Sequence, residues 1–231
     1  NGNTVAIGAP QNDGNGSNAG HVRIYENTGG SWSQIGQDID GEATDDRSGH
    51  SVSLSANGNT VAIGAPQNDG NGSKAGHVRI YENTGGSWLQ IGQDIDGEAT
   101  EDRSGHSVSL SADGNTVAIG ANRNDGNGLN AGHVRIYQNI GGSWSQVGQD
   151  IDGEFSGDDG GYSVSLNSNG NKVVIGAPSN DGNGTCSGHV RAYKISTPCS
   201  DLGCLDPLAL NFDPYASIDD SSCVYPNFGC L

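Results

Sequence analysis

The sequence predicts an all-β protein, an array of four-stranded antiparallel units followed by a short tail of different composition. Three observations carry this. Residues 1–56 and 57–112 are the same except at three positions, where Asn18, Ser33 and Asp45 face Lys74, Leu89 and Glu101; residues 113–168 are a looser copy, and 169–195 carry the first half of a fourth. Within each copy, short runs of alternating residues lie between clusters of Gly, Asn, Asp and Ser, which is how strands and turns read in a sequence. Finally, 39 Gly and 7 Pro among 231 residues, with apolar residues at 32%, suit a turn-rich chain with small cores shared between units. A period of this length fits the blade of a β-propeller, and each blade must then bury its faces on its neighbours.

Charge narrows the partners. Ten Lys/Arg against 27 Asp/Glu give a net charge of -17, which argues against DNA, RNA and anionic membrane as partners and makes cations the natural counter-species. No run of about 18 apolar residues is present, so no membrane span is expected. Asn1 falls inside a repeat, so any targeting segment is expected upstream.

Thr4 to Gly8 sets large Val5 and Ile7 against small Ala6 and Gly8, so one face fills a core and the other admits the next sheet closely. Gln11 to Ser17 is dense in turn formers and reads as a loop. His21 to Glu26 alternates again, with Val22 and Ile24 on one face and His21, Arg23 and Tyr25 on the other, and Asn27-Thr28-Gly29-Gly30 turns the chain into Ser31 to Ile39. Trp32, Trp88 and Trp144 are expected to pack. Asp38 to Ser48 crosses to the next unit. There the four strands are A (His50 to Leu54), B (Thr60 to Gly64), C (His77 to Glu82) and D (Ser87 to Ile95), with Asn57-Gly58 a tight two-residue turn between A and B.

The B–C loops are the candidate metal sites. Each offers one carboxylate, amide oxygens and glycines that let carbonyls converge on a hard cation: Asp13 and Asn15, Asp69 and Asn71, Asp125 and Asn127, Asp181 and Asn183 as calcium ligands, with an Asx-type turn as the alternative. Asp38-Ile39-Asp40-Gly41-Glu42 and its copies form a second acidic stretch. Asn15, Asn71 and Asn183 also head Asn-x-Ser/Thr acceptors for N-glycosylation in a eukaryotic secretory route. The six histidines occupy two repeated strand positions, and Tyr162 replaces the third of the His50/His106 series, so packing is expected of them rather than chemistry.

Gly-His-Ser-Val-Ser-Leu (49–54), Val-Ala-Ile-Gly-Ala-Pro (61–66) and Gly-His-Val-Arg-Ile-Tyr (76–81) resemble the FG-GAP repeats of bacterial and algal surface proteins, related to the integrin alpha-chain propeller. The resemblance covers 1–195 in units 1–56, 57–112, 113–168 and 169–195. Two departures are that Ser-Gly or Gly-Gly replaces Phe-Gly, and that the family's calcium loop between A and B is cut to Ser55-Ala56-Asn57-Gly58-Asn59. After a linker at 196–202, residues 203–225 resemble a short cysteine module, GCxDPxAxNYxPxAxxDDGSCxY, of secreted Bacteroidetes and marine surface proteins; 226–231 begin a second copy. That resemblance implies a disulfide between Cys204 and Cys223, leaves Cys230 for a partner beyond Leu231, and leaves Cys186–Cys199 open.

The function expected from these features is a secreted, non-enzymatic structural or adhesive repeat protein. The end units lack an edge strand, and bare edges recruit partners, so self-association into a multimer or filament is expected. The alternative is a lectin-like or integrin-like propeller that binds an extracellular glycan or protein on its loop face.

Overall fold

The computed structural model describes residues 2–195, 202–204, 206–211, 218–219 and 221–225. The chain divides into two compact units, Asn1–Ile195 and Ser196–Leu231. Among the described residues there is no helix.

The first unit holds four antiparallel blades. Blade 1 contains β1 (Thr4–Ala9), β2 (His21–Thr28), β3 (Ser31–Gln34) and β4 (Ile39–Asp40). Blade 2 contains β5 (Ser51–Leu54), β6 (Thr60–Ala65), β7 (His77–Thr84), β8 (Ser87–Gln90) and β9 (Ile95–Asp96). Blade 3 repeats it as β10 (Ser107–Leu110), β11 (Thr116–Ala121), β12 (His133–Ile140), β13 (Ser143–Gln146) and β14 (Ile151–Asp152); blade 4 holds β15 (Ser163–Leu166), β16 (Lys172–Ala177) and β17 (His189–Lys194). Chain order is sheet order, A-B-C-D.

Strand D departs from the expected single run. Its two pieces both pair with strand C, β8 at Tyr81–Thr84 and β9 at His77–Val78. Between them Gly92 takes a φ of 71° and the chain bulges outward, while Ile91 N–H still bonds Ile80 O at 2.8 Å. The bulge docks on the next blade: Trp144 Nε1–H donates to Ile91 O at 2.9 Å, and a Cβ on Gly92 would sit 2.7 Å from Gly142 O. The A–B turn is also longer than two residues. Ser55 N–H bonds Thr60 O, and Gly58 N–H bonds Ser55 O, because the Ser55 hydroxyl spans Asn57 Oδ1 and the Thr60 amide.

The alternation read from the sequence sets the stacking. Register pairs Ala62 with Ile80 and Gly64 with Val78 on one face, and Val61 with Tyr81 and Ile63 with Arg79 on the other. Val22, Ile24 and Ile39 of blade 1 pack on Val61, Ile63, Tyr81 and Trp88 of blade 2. The equivalent residues join blade 2 to blade 3, and those of strands B and C join blade 3 to blade 4 without a tryptophan. Gly64 is required here, since a Cβ would lie 2.1 Å from Gly105 O. Burying side chains the size of Ile63 and Val61 completely contributes about 1.5–3 kcal/mol each, so the blade junctions are the main source of cohesion.

The A strands β5, β10 and β15 lie side by side and form the inner edge of the fan. Serines tie them: Ser51 Oγ–H donates to Gly105 O and Ser107 Oγ–H to Gly161 O, both at 2.7 Å, while Ser53 Oγ accepts the Leu110 amide and Ser109 Oγ the Leu166 amide, both at 2.9 Å.

In the second unit Cys204 and Cys223 are disulfide-bonded, with Cα atoms 4.8 Å apart. Parallel β18 (Leu202–Gly203) and β19 (Ile218–Asp219) pair beside the bridge. Tyr225 Oη–H donates to Asp206 Oδ2 at 2.8 Å, and the Leu210 amide to Val224 O at 2.7 Å, so a segment too small for a core is held by one covalent bond and a few polar ones. Cys186 is free and exposed. Cys199, Cys230, most of the expected linker and the start of the expected second module lie outside the described residues.

Candidate functional site

The B–C loops close on their own backbone. Asp13, Asp69, Asp125 and Asp181 each turn Oδ1 onto the amide five residues on, at Asn18, Lys74, Asn130 and Cys186. Each of those residues has a φ near +50°, so the carboxylate caps a left-handed turn. Asn15, Asn71 and Asn127 donate through Nδ2 to Gly41, Gly97 and Gly153 carbonyls at 2.7–2.8 Å and so pin each loop to the following crossover. One carboxylate per loop, with one oxygen already engaged, does not match the six to eight oxygens that calcium typically gathers. Asn15, Asn71 and Asn183 are exposed at the loop tips.

Carboxylates and histidines converge elsewhere, at the blade junctions. His77 Nδ1 lies 3.6 Å from Asp94 of its own blade and 4.0 Å from Glu42 of the crossover before it; His133 repeats this with Asp150 and Glu98 at the same distances. The acidic crossover read from the sequence is therefore a contact between blades. Arg79 completes it, reaching Glu42 at 3.1 Å and donating to Asp40 O at 2.9 Å, as Arg135 does to Glu98 at 3.4 Å and Asp96 O at 2.7 Å. A guanidinium already pairs with the glutamate of each group, so the arrangement acts as a latch. His77 and His133, 2% exposed, are pushed below their ordinary pKa first by burial and then by Arg79 and Arg135. In blade 1, with no crossover glutamate among the described residues against it, Arg23 pairs with Asp38 at 2.7 Å, and that hydrogen bond, followed by the one from Gln34, holds the Asp38 carboxyl at about 2.

A third cluster sits at one end of the inner edge. The turns Arg47–His50, Arg103–His106 and Asp159–Tyr162 stack blade on blade, each closed by the amide of its last residue bonding the carbonyl of its first. Their rings form a column, His50 to His106 at 5.0 Å and His106 to Tyr162 at 4.9 Å between centroids. Packing of these rings was expected, yet His50 and Tyr162 remain exposed. His106 is pushed down to about 4, by burial first and then by His50 and Arg103. The Arg123 amide bonds Asp102 O, which brings Arg123 beside the Arg103 turn. Sequence reading passed over these arginines. The signal was the Asn122-Arg123 pair standing where the other copies have Pro-Gln or Pro-Ser.

Trp88 and Trp144 are 3% exposed, as packing residues should be. Trp32 is 51% exposed, because no blade among the described residues covers that face of blade 1.

The FG-GAP repeat family matches residues 39–81 and 95–137. Both segments run from the end of one D strand through the next blade's C strand, so the match spans the latches and the inner-edge turns. No curated protein matches the chain. Among solved structures, the fold is similar to the periplasmic gluconolactonase PpgL of Pseudomonas aeruginosa, at TM-score 0.51 and 17% identity, covering 83% of this chain and 49% of that one. It is also similar to a putative 6-phosphogluconolactonase from Bacteroides uniformis, at TM-score 0.50 and 15% identity, covering 75% and 44%. The chain thus spans about half the length of the propellers it resembles. These likenesses correct the expectation that an array of this kind has no enzymatic role, since proteins named as lactonases share the fold. At this identity they carry the fold and no residue assignment.

Proposed function

We propose that this chain is an extracellular structural and adhesive array whose blades associate end to end. The observation that supports it is the back face of blade 1. Ile7 and Trp32 are both 51% exposed, whereas their counterparts Ile63 and Trp88 are 1% and 3% exposed beneath the neighbouring blade. The opposite face of blade 4 presents Val174 at 40% and Val190 at 71%, the positions that at internal junctions receive such a back face. The two surfaces carry the B- and C-strand parts of a junction that the molecule already makes three times, so a second copy can dock through those strands. An oxidising compartment agrees with the Cys204–Cys223 disulfide. No helix among the described residues is long and apolar enough to cross a membrane.

Sedimentation velocity over a range of concentrations tests this. The native chain should show reversible higher species, and Ile7→Lys/Trp32→Lys should abolish them without lowering the melting temperature. A native chain that stays monomeric throughout, with Trp32 emitting as a solvated indole, overturns the reading.

A further inference from the structure

The chain carries ten cationic side chains, and five of them, Arg23, Lys74, Arg79, Arg135 and Arg191, are in ion pairs with carboxylates. Among the described residues, Arg47, Arg103 and Arg123 form no ion pair, and these three gather at one end of the inner edge. In a chain of net charge -17, three guanidiniums left together is the arrangement least expected from chance, because 27 carboxylates compete for them. Nε of Arg47 and Nε of Arg103 are buried without a hydrogen-bond partner, as are those of Arg79 and Arg135, but only Arg79 and Arg135 have a carboxylate on their outer nitrogens. The nearby carboxylates are occupied: Glu101 is held by Lys74 at 3.1 Å, and Asp159 Oδ2 accepts from Ser179 Oγ at 2.7 Å.

We infer that Arg47, Arg103 and Arg123 form a binding site for the oxyanion of a small molecule, walled by the His50–His106–Tyr162 ring column. Guanidiniums present paired donors that match carboxylate, sulfate or phosphate geometry. The exposed rings offer flat faces for the body of such a ligand, and an acidic saccharide combines an oxyanion with a compact ring. A nucleic acid strand is disfavoured, since its phosphates would meet the negative field of the whole chain. Burial and mutual repulsion support the charge imbalance: Arg103 is pushed below its ordinary pKa by burial first and then by Arg123, with Arg47 adding to the effect against Glu101. This inference does not rest on the end-face association.

Two substitutions test it with little risk to folding, because each installs a residue found at the same position of another copy: Arg103→Asp, as at Asp159, and Arg123→Gln, as at Gln67. Calorimetric titration with sodium glucuronate should give saturable binding, glucose should give none, and sulfate should compete. The double variant should weaken glucuronate by roughly tenfold or more, since charge-assisted bonds are lost, and NMR should show the His50 and His106 ring signals moving with glucuronate in the native chain only. Absent saturation, equal binding of glucose, failure of sulfate to compete, or unchanged affinity in the folded double variant would each overturn the site.

Discussion

Single residues decide the pH response. His106 is held at about 4 in the folded chain, whereas an unfolded histidine titrates near 6.5. Between those values the unfolded state binds the extra proton, so stability rises with pH through that window and is lost as pH falls from about 6.5 towards 4. His50 has its pKa lowered by burial first and adds in the same sense. The melting temperature should therefore fall on acidification to pH 4.5, and His106→Tyr, the residue of the third copy, should flatten the profile; an unchanged slope in that variant refutes the assignment. Asp69→Ala removes the acceptor for the Lys74 amide and should cost about 0.5–2 kcal/mol by analogy with lost helix caps, read by denaturant unfolding. At this scale the sequence was legible where one residue does one local thing. The loop aspartates could be seen as turn-formers or calcium ligands, and only their hydrogen bonds to the amides five residues on separate the two. The latches of Glu42 with His77 and Arg79 were not legible, because partners so far apart in the chain meet only once blades stack.

Elements differ in how much of their shape lies in their own residues. Strands B and C announce themselves through alternation, and Gly29-Gly30, both at positive φ, makes the tight C–D turn that the sequence implies. Strand D hides its break, since the Gly92 bulge is fixed by Trp144 of the following blade rather than by anything within the strand. A matched pair of substitutions separates intrinsic from borrowed stability. Trp144→Ala empties a junction and should destabilise by about 3–5 kcal/mol. Trp32→Ala, at the same position of an uncovered face, should cost well under 1 kcal/mol in the monomer. Similar losses for both would mean that the blade junction is not what holds the indole. Gly92→Ala should also destabilise, through both the φ of 71° and the approach of Gly142 O.

For the molecule as a whole, the repeat was visible at once, and with it the blade count within the chain and the stacking. What repetition obscured was its own exceptions. Arg123 and Asp159 look like drift in one copy until the inner-edge turns align, and then they distinguish one junction from the next. The same repetition has an energetic side. Removal of 57–112 should leave a chain whose blade 1 meets blade 3 through the contacts it now makes with blade 2, and its melting temperature per junction should be little changed; collapse of cooperative unfolding would contradict this.

Interchangeable junctions also mean that the front face of blade 1, while the chain is still folding, has two acceptable partners. The back of blade 2 presents Val61, Ile63, Tyr81 and Trp88, and the back of blade 3 presents Val117, Ile119, Tyr137 and Trp144, so contact energy scarcely discriminates between them. Only the entropy of looping out one extra unit does, and that grows slowly, by about 0.6 kcal/mol per doubling of loop length. Kinetic partitioning into out-of-order stacks follows, with blade 2 displaced and both of its faces bare until the wrong junction reopens. Refolding should accordingly show a slow phase limited by that reopening. Diversifying the back face of blade 2 alone, with a compensating change on the front of blade 1, should remove it while leaving the native structure as it is.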